Sequence, residues 1–187
     1  MSEHTRSDAQ AAEPQARPFR PDDAVAVAEL FKAYMQETFG TDSAISPEVL
    51  LRDGMGLHFN LIVALDVRQQ PAGFAAWRMA YDLHHAVAGG EVPDLFVEHR
   101  HRGRGLSIRL LAAVAQEVQR RGGTYIKGEV LTDDPRRMQL LHRVAVGFSG
   151  ESAYVSGRAF RQLAQLTGVD ARALVEGLPT PAMSREP

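Results

Sequence analysis

The stretch FVEHRHRGRGLSIRLL, residues 96–111, joins an apolar run to an amphipathic run and contains four arginines, two histidines and two glycines. Residues 87–97 are predicted to form a strand, and the apolar residues at 106, 110, 114 and 118 have the spacing of a helix. A strand that turns directly into a helix points free backbone N–H groups and the positive end of the helix dipole at one spot. The stretch is therefore predicted to bind a phosphate group.

The glycines and arginines of this loop indicate how such a group would be held. Gly103 and Gly105 let the backbone turn tightly and approach a ligand without a Cβ in the way. Arg100, Arg102 and Arg104 add positive charge around them. The competing interpretation is a solvated basic loop capped by glycines.

The composition is that of one globular domain, with 187 residues of which 44% are hydrophobic and 24% charged. A formal net charge of -2 argues against a nucleic-acid-binding protein, so the basic loop is expected to act locally. The absence of cysteine excludes disulfides, thiolate nucleophiles and zinc-thiolate clusters. Because no apolar N-terminal segment and no apolar run of about 20 residues occurs, we expect a cytoplasmic protein that does not bind a membrane.

Apolar spacing and turn residues predict an α/β domain with a mixed sheet, in the element order β-α-α-β-β-β-α-β-α-β. Residues 1–17 are polar and aperiodic and are expected to form a disordered tail, followed by a domain over 18–168 and a helix remnant and tail over 169–187. Helices are predicted from Pro21 to Gly40, over 46–56, from Gly103 to Gly123, from Asp133 onward and over 158–166. Strands are predicted around Phe19, over 61–66, 73–81, 87–97 and 124–131, with one or two more late in the chain.

Two familiar phosphate-binding motifs are absent. The P-loop pattern requires a Gly-Lys-Ser/Thr sequence, which does not occur in the chain. The dinucleotide-binding pattern requires a third glycine where Ile108 stands. A nucleoside triphosphatase and a Rossmann-type enzyme are therefore disfavoured.

The residues Arg100-x-x-Gly103-x-Gly105 match R-x-x-G-x-G, the coenzyme A pyrophosphate motif of the GNAT family of N-acetyltransferases. The stretch resembles motif A of that family position by position, and the resemblance extends over the chain from about residue 17 to about residue 166. The approach to the motif, YDLHHAVAGGEVPDLFV, is most similar to the polyamine or diamine acetyltransferase branch. Gly147-Phe148 resembles the late Gly-Phe turn of the family.

The resemblance implies a mixed, mostly antiparallel sheet flanked by helices, in which two splayed parallel strands bind coenzyme A. Acetyl-CoA is the implied cosubstrate, with Phe96 and Val97 facing its pantetheine arm. The backbone N–H groups of the loop and the first helical turn are implied to hold its pyrophosphate. These groups belong to Arg102, Gly103, Arg104, Gly105, Leu106, Ser107 and Ile108.

The resemblance also indicates catalytic candidates, although two of the usual residues are missing. The polyamine branch has a glutamate before the aspartate of the strand, where this chain has Pro93. Glu91 and Asp94 are the remaining candidates for the base, and Asp94 is expected on the opposite face of the strand unless a bulge turns it. The alternative for each is a surface carboxylate at a strand end.

The family's usual acid, a tyrosine shortly before the Gly-Phe turn, is also absent. His142 is the nearest titratable side chain, and its imidazole suits proton transfer near neutral pH. Tyr154 is a more distant substitute, and a plain surface histidine is the competing interpretation. Asp133 or Asp134 matches the family's asparagine only approximately and suits the cap of a helix.

These features predict an acetyl-CoA-dependent N-acetyltransferase that acts by direct attack of a primary amine of a small molecule. The alternative is a catalytically degenerate acyl-CoA-binding sensor or regulatory module. A homodimer is expected, because an exposed late strand near Tyr154 offers an edge for sheet extension. No metal site is expected, because the pairs His84-His85 and His99-x-His101 lack the helical spacing of a metal pair.

Overall fold

A computed structural model describes residues 15–128 of the chain. Helices and strands follow one another there in the predicted order. Short 3-10 turns at Pro21–Asp23 and His99–His101 precede the first and third helices. The elements are β1 (Gln15–Pro18), α1 (Ala24–Phe39), α2 (Pro47–Asp53), β2 (Asn60–Leu65), β3 (Pro71–Asp82), β4 (Val87–Val97), α3 (Leu106–Arg120) and β5 (Ile126–Gly128).

Local signals in the sequence set the ends of the first two helices. Helix α1 ends at Gly40, which adopts the left-handed conformation with φ +65° that favours glycine. Helix α2 begins after Ser46, whose hydroxyl accepts a hydrogen bond of 3.3 Å from the Val49 N–H, and has Pro47 at its first position. The predictions of both helices are confirmed.

The five strands form one sheet in the order β1-β2-β3-β4-β5. The first three pairings are antiparallel and the last, between β4 and β5, is parallel. A parallel pair needs a crossover connection, which here is α3. The predicted mixed and mostly antiparallel sheet is confirmed, and α3 starts where the chain leaves β4.

Each face of the sheet is covered by helices and carries its own apolar core. On one face α1 and α2 pack against the sheet, and the Phe31 and Phe74 rings stack with their centroids 3.9 Å apart. On the other face α3 buries its apolar stripe, including Leu110 and Val114. Trp77, on the same face as α3, is 1% exposed. Burial on both faces holds the end of β4 in place, whereas most of the loop that follows it is exposed.

The start of the sheet differs from the prediction. Strand β1 begins at Gln15 and ends at Pro18, so residues 15–17 belong to the sheet rather than to the predicted tail, and Phe19 follows the strand instead of lying at its centre. Arg17 holds this strand by donating hydrogen bonds of 2.7 and 2.9 Å to Asp23. The polar character of 15–17 hid the strand, because its stability comes from pairing with β2 over Leu65 to Ile62.

The predicted elements beyond β5 lie outside the described residues. Among residues 15–128, no helix is both long and apolar enough to cross a bilayer.

Candidate active site

The loop between β4 and α3 has the open geometry that its glycines suggested. Gly103 and Gly105 both adopt φ +75°, where side chains are disfavoured, and a Cβ added at either would have no atom of residues 15–128 within 4 Å. The space beside both glycines is therefore open to a ligand, and their backbone can approach it closely.

The backbone N–H groups of residues 103–108 are free of protein acceptors within the described part of the chain. The first N–H of α3 that bonds back is that of Arg109, to the Gly105 carbonyl at 3.1 Å. Gly105 is the N-cap and offers no side chain to the free groups. These donors, with the dipole of a 15-residue helix behind them, have an arrangement that can bind an anion, and we call them the cradle.

The predicted set of free N–H donors is wrong at its first member, Arg102. The Arg102 N–H donates to the His99 carbonyl at 3.2 Å, within the 3-10 turn, so it is not available to a ligand. Leu106 is 2% exposed and anchors the first turn of α3 in the core, so only its backbone is available. Ser107 is half-buried and Ile108 is exposed.

The arginines of this loop differ in the number of hydrogen bonds and ion pairs that they make. The Arg100 Nε donates to Glu98 at 3.0 Å. Arg102 makes two bonds, from Nε to the Val97 carbonyl at 2.8 Å and from its terminal nitrogen to Glu37 on α1 at 2.5 Å. Its guanidinium also lies 5.6 Å from the centre of the Phe96 ring. These contacts tie the loop to α1.

Arg104 differs from its neighbours. Within residues 15–128 its guanidinium has neither an ion-pair partner nor a hydrogen bond, and the residue is exposed. Of the three arginines expected to surround the glycines, it is the one whose charge is left for a ligand. The sequence alone did not distinguish the three.

Phe96 and Val97 lie where β4 ends, with their side chains in opposite cores. Phe96 packs on the side of α1 and Val97 on the side of α3, and they are 5% and 8% exposed. Their side chains are therefore not available to a ligand at the strand edge, and the Val97 carbonyl already accepts a hydrogen bond from Arg102. Pairing between β4 and β5 is described as far as Val92 with Gly128. The splay predicted beyond that point lies outside the described residues.

A bulge in β4 places two carboxylates on one face. Ala76 of β3 pairs with Asp94, but Arg78 pairs with Glu91, so β4 has one more residue than β3 over this interval. The extra residue lies at Val92-Pro93, and proline suits it because it lacks an N–H. Opposed residues of an antiparallel pair share a face, so Glu91 and Asp94 both face the side of α1.

The two carboxylates have different partners. Glu91 accepts a hydrogen bond of 2.7 Å from the Arg78 Nε and lies 3.9 Å from the Lys127 ammonium. Asp94 accepts a hydrogen bond of 2.8 Å from the Tyr34 hydroxyl. Among the described residues no cation pairs with Asp94. Its charge is therefore the more available of the two for a cationic or proton-donating substrate.

Tyr34 is a further candidate for the site that the sequence did not reveal, because it has the helical spacing of the apolar residues that α1 buries. Burial, together with the hydrogen bond to Asp94, raises the pKa of Tyr34 well above its usual value. The hydroxyl therefore stays protonated and donates to the carboxylate. A tyrosine on an apolar helix face carries a polar group that needs a partner, and that was the available signal.

Other sequence candidates are placed apart from the loop or are not described. His142, Tyr154, Asp133 and Asp134 lie outside residues 15–128. His85 contacts Asp82 at 2.8 Å near the exposed turn between β3 and β4. Within the described residues, no group of three histidine, aspartate or glutamate side chains is arranged to hold a metal ion.

Comparison with solved structures supports the fold over most of the chain. An integron cassette protein from V. cholerae matches with a TM-score of 0.65 at 16% identity, covering 83% of this chain and 99% of its own. A ribosomal-protein-alanine N-acetyltransferase from Brucella melitensis biovar Abortus 2308 gives 0.63 at 20% identity, covering 78% and 100%. An aminoglycoside acetyltransferase from an uncultured soil metagenomic sample, solved with sisomicin, gives 0.62 at 15%, covering 78% and 97%.

One of the two sequence comparisons found a match and the other did not. No curated protein sequence matches the chain significantly. The model of the acetyltransferase (GNAT) family matches residues 24–148, which include α1, the β4 bulge, the glycine loop and α3. The chain therefore belongs to the GNAT family of acetyltransferases.

Proposed function

We propose that this acetyltransferase transfers an acetyl group from acetyl-CoA to a primary amine of a small molecule. The observation that carries the proposal is the set of unpaired N–H groups at residues 103–108, which lie at the end of the strand that bears Asp94. The candidate anion site and a carboxylate without a cationic partner among the described residues thus lie on adjoining parts of the chain. The catalytic domain is proposed to span 18–168, extended at its start to include β1.

The cradle suits the pyrophosphate of coenzyme A. Its donors are backbone groups of residues 103–108, and the positive φ of the two glycines keeps side chains out of the approach. Arg104 would add a positive charge, whereas Arg102 would act by holding the loop against Glu37. When bound, acetyl-CoA supplies an acetyl group activated as a thioester.

Direct transfer requires a residue that takes a proton from the amine. The amine nitrogen bonds to the acetyl carbon, the carbon–sulfur bond breaks, and one amine proton must leave. Asp94 is the proposed base, directly or through water, because its carboxylate is not neutralised by a cation among the described residues. Glu91 is the second candidate and is weaker, since Arg78 and Lys127 already contact it.

The departing thiolate needs a proton, and His142 is proposed to provide it. The proposal rests on its place in the sequence, shortly before Gly147-Phe148, with Tyr154 as the substitute. His142→Ala should lower kcat by about 10²- to 10⁴-fold while leaving acetyl-CoA affinity nearly unchanged. A His142→Ala enzyme with full kcat would leave Tyr154 or water as the donor.

The acceptor is proposed to be a small primary amine, and polyamines or diamines are the first class to test. The resemblance of residues 81–97 to that branch supports this choice. An aminoglycoside acetyltransferase and a ribosomal-protein-alanine N-acetyltransferase share the fold, so aminoglycosides and peptides with free N-termini belong in the same panel.

An acyl-CoA-binding sensor without turnover is the alternative, and Pro93 favours it. This residue occupies the position of a carboxylate in the polyamine branch and lies in the bulge, where it is exposed. A sensor would bind acetyl-CoA through the same loop without needing Asp94.

Thiol release with acetyl-CoA and the amine panel separates the two functions. Amine-dependent release above the rate of hydrolysis supports the transferase. Acetyl-CoA binding by calorimetry without such release supports the sensor, and absence of both contradicts the cradle.

We also propose that the enzyme is a cytoplasmic homodimer. The predicted dimer edge near Tyr154 lies outside the described residues, so support for it comes from the sequence alone. Light scattering at high protein concentration tests it, and a monomer there would contradict it.

A further inference from the structure

Tyr34 is held firmly by aromatic neighbours around its ring. It meets Phe39 and Phe74 edge-on, with centroids 5.7 and 5.9 Å apart, and Phe96 at a tilt with centroids 5.7 Å apart. Aromatic contacts of this kind fix the plane and direction of a phenol ring. The position of the Tyr34 hydroxyl is therefore set by packing that does not involve Asp94.

Asp94 occupies the first regular position after the bulge. Pro93 before it is exposed and has no N–H to add to the sheet. The carboxylate of Asp94 is half-buried, and its Oδ1 accepts from Tyr34, whereas Oδ2 has no protein partner among the described residues. One oxygen is thus fixed and the other is left for a substrate.

We propose that Tyr34 is a positioning residue that holds Asp94 through Oδ1 and so directs Oδ2 at the acceptor amine. The inference rests on the proposed function. The proton that leaves the attacking amine passes to Oδ2, directly or through water, and Tyr34 keeps its own proton throughout. The raised pKa of Tyr34 agrees with this role, because it keeps the hydroxyl a donor.

A purely structural hydrogen bond is the alternative, and a double-mutant cycle distinguishes it. Tyr34→Phe removes the hydroxyl and keeps the ring. It should lower kcat/KM for the amine by about 10- to 100-fold, the loss expected when a reacting group is misplaced, with the affinity for acetyl-CoA unchanged. Asp94→Asn should lower kcat/KM further. If Tyr34 acts through Asp94, adding Tyr34→Phe to Asp94→Asn should cause no additional loss.

Two further variants complete the experiment. Tyr125→Phe removes the hydroxyl of another half-buried tyrosine and should leave kcat/KM unchanged. Asp94→Glu keeps the charge but displaces the carboxylate from the fixed hydroxyl, so it should also lower kcat/KM at least about tenfold. This variant tests the positional requirement even if Tyr34→Phe does not fold, which circular dichroism would show.

The outcomes separate the inference from the proposed function. Wild-type kcat/KM in Tyr34→Phe or Asp94→Glu, or additive losses in the cycle, would overturn the role of Tyr34 and leave the acetyltransferase activity intact. No amine-dependent thiol release by the wild-type enzyme would overturn the proposed function and this inference with it.

Discussion

Glu91 and Asp94 face the same side of the sheet although three positions separate them along β4, because the bulge at Val92-Pro93 adds one residue between their partners Arg78 and Ala76. In a regular strand residues three apart face opposite sides. The bulge therefore places both carboxylates on the α1 side, and their partners distinguish Glu91, which two cations contact, from Asp94, which accepts a hydrogen bond from Tyr34.

The first prediction compares the two carboxylates. Asp94→Asn should lower kcat/KM for the amine by about 10²- to 10⁴-fold, the span of a general base. Glu91→Gln should lower it less than about tenfold, because Arg78 and Lys127 already offset its charge. Steady-state thiol release measures both, and calorimetry with acetyl-CoA should show little change in either variant. A larger loss in Glu91→Gln than in Asp94→Asn would reverse the assignment of the base.

The second prediction concerns the glycine cradle. Gly105→Val places a β-branched side chain at φ +75° and in the approach to the free N–H groups. Acetyl-CoA affinity should fall at least about tenfold, as expected from the loss of charge-assisted hydrogen bonds, and strain should reduce stability by about 1–3 kcal/mol.

Gly122→Val is the matched control for this experiment. Gly122 lies just after the C-terminal end of α3 with φ +81°, and a Cβ added there would likewise meet no atom within 4 Å in the part of the chain that the structure describes. It should lose similar stability in thermal denaturation and keep the affinity for acetyl-CoA in calorimetry. Equal losses of affinity in both variants would mean that strain, not the cradle, controls binding.

Local sequence signals were sufficient for much of this fold. Gly40 ends α1 and Ser46 caps α2 through contacts within a few residues, and the glycine loop is contiguous with its strand and helix. Such features depend on short stretches of chain, so patterns in the sequence can predict them.

The relationships that distinguish the candidate residues depend on distant parts of the chain. Tyr34 and Asp94 are 60 residues apart, and Glu37 and Arg102 are 65 apart. The bulge likewise depends on the register between β3 and β4. Periodicity indicates which face of an element is apolar, but not which polar group of another element contacts it. The sequence alone therefore could not distinguish the roles of Arg102 and Arg104.

The third prediction separates those two arginines. Arg104→Gln should weaken acetyl-CoA binding by up to about tenfold, since a free cation near phosphates is lost, and the effect should shrink at high salt. Thermal stability should not change. Calorimetry at low and high ionic strength tests this, and unchanged affinity at low salt would exclude Arg104 from the site.

Arg102→Gln should instead lower the melting temperature. It removes the bonds to Glu37 and the Val97 carbonyl, worth about 1 kcal/mol for partly exposed groups, or about 2–4 °C in a chain of this size. Lys32→Gln, which removes an exposed ion pair with Glu29 on α1, is the control. It should lower the melting temperature by less than Arg102→Gln does. A larger loss in the control would show that the loop is not held through Arg102.

The last prediction concerns the pH dependence of stability and the partly buried ion pair between Arg17 and Asp23, which holds β1. Burial tends to raise the pKa of Asp23, but the hydrogen bonds from Arg17 and from the Arg20 N–H, with the charges of both arginines, outweigh it and hold that pKa below its usual value. A carboxyl with a lowered pKa in the folded state stabilises the protein above its unfolded pKa of about 3.9. That contribution is lost as the pH falls through the lower, folded value.

Asp23→Asn should therefore reduce the free energy of unfolding by about 2 kcal/mol at pH 7, the scale of hydrogen bonds to a charged group. The difference from the wild type should persist down to about pH 4 and shrink below it, because the wild-type carboxyl is then protonated first in the unfolded state and, at lower pH, in the folded state. Urea denaturation at a series of pH values measures it, with the exposed neighbour in Asp22→Asn as the control. A difference that stays constant from pH 7 to pH 3 would show that Asp23 stabilises β1 through packing rather than through its charge.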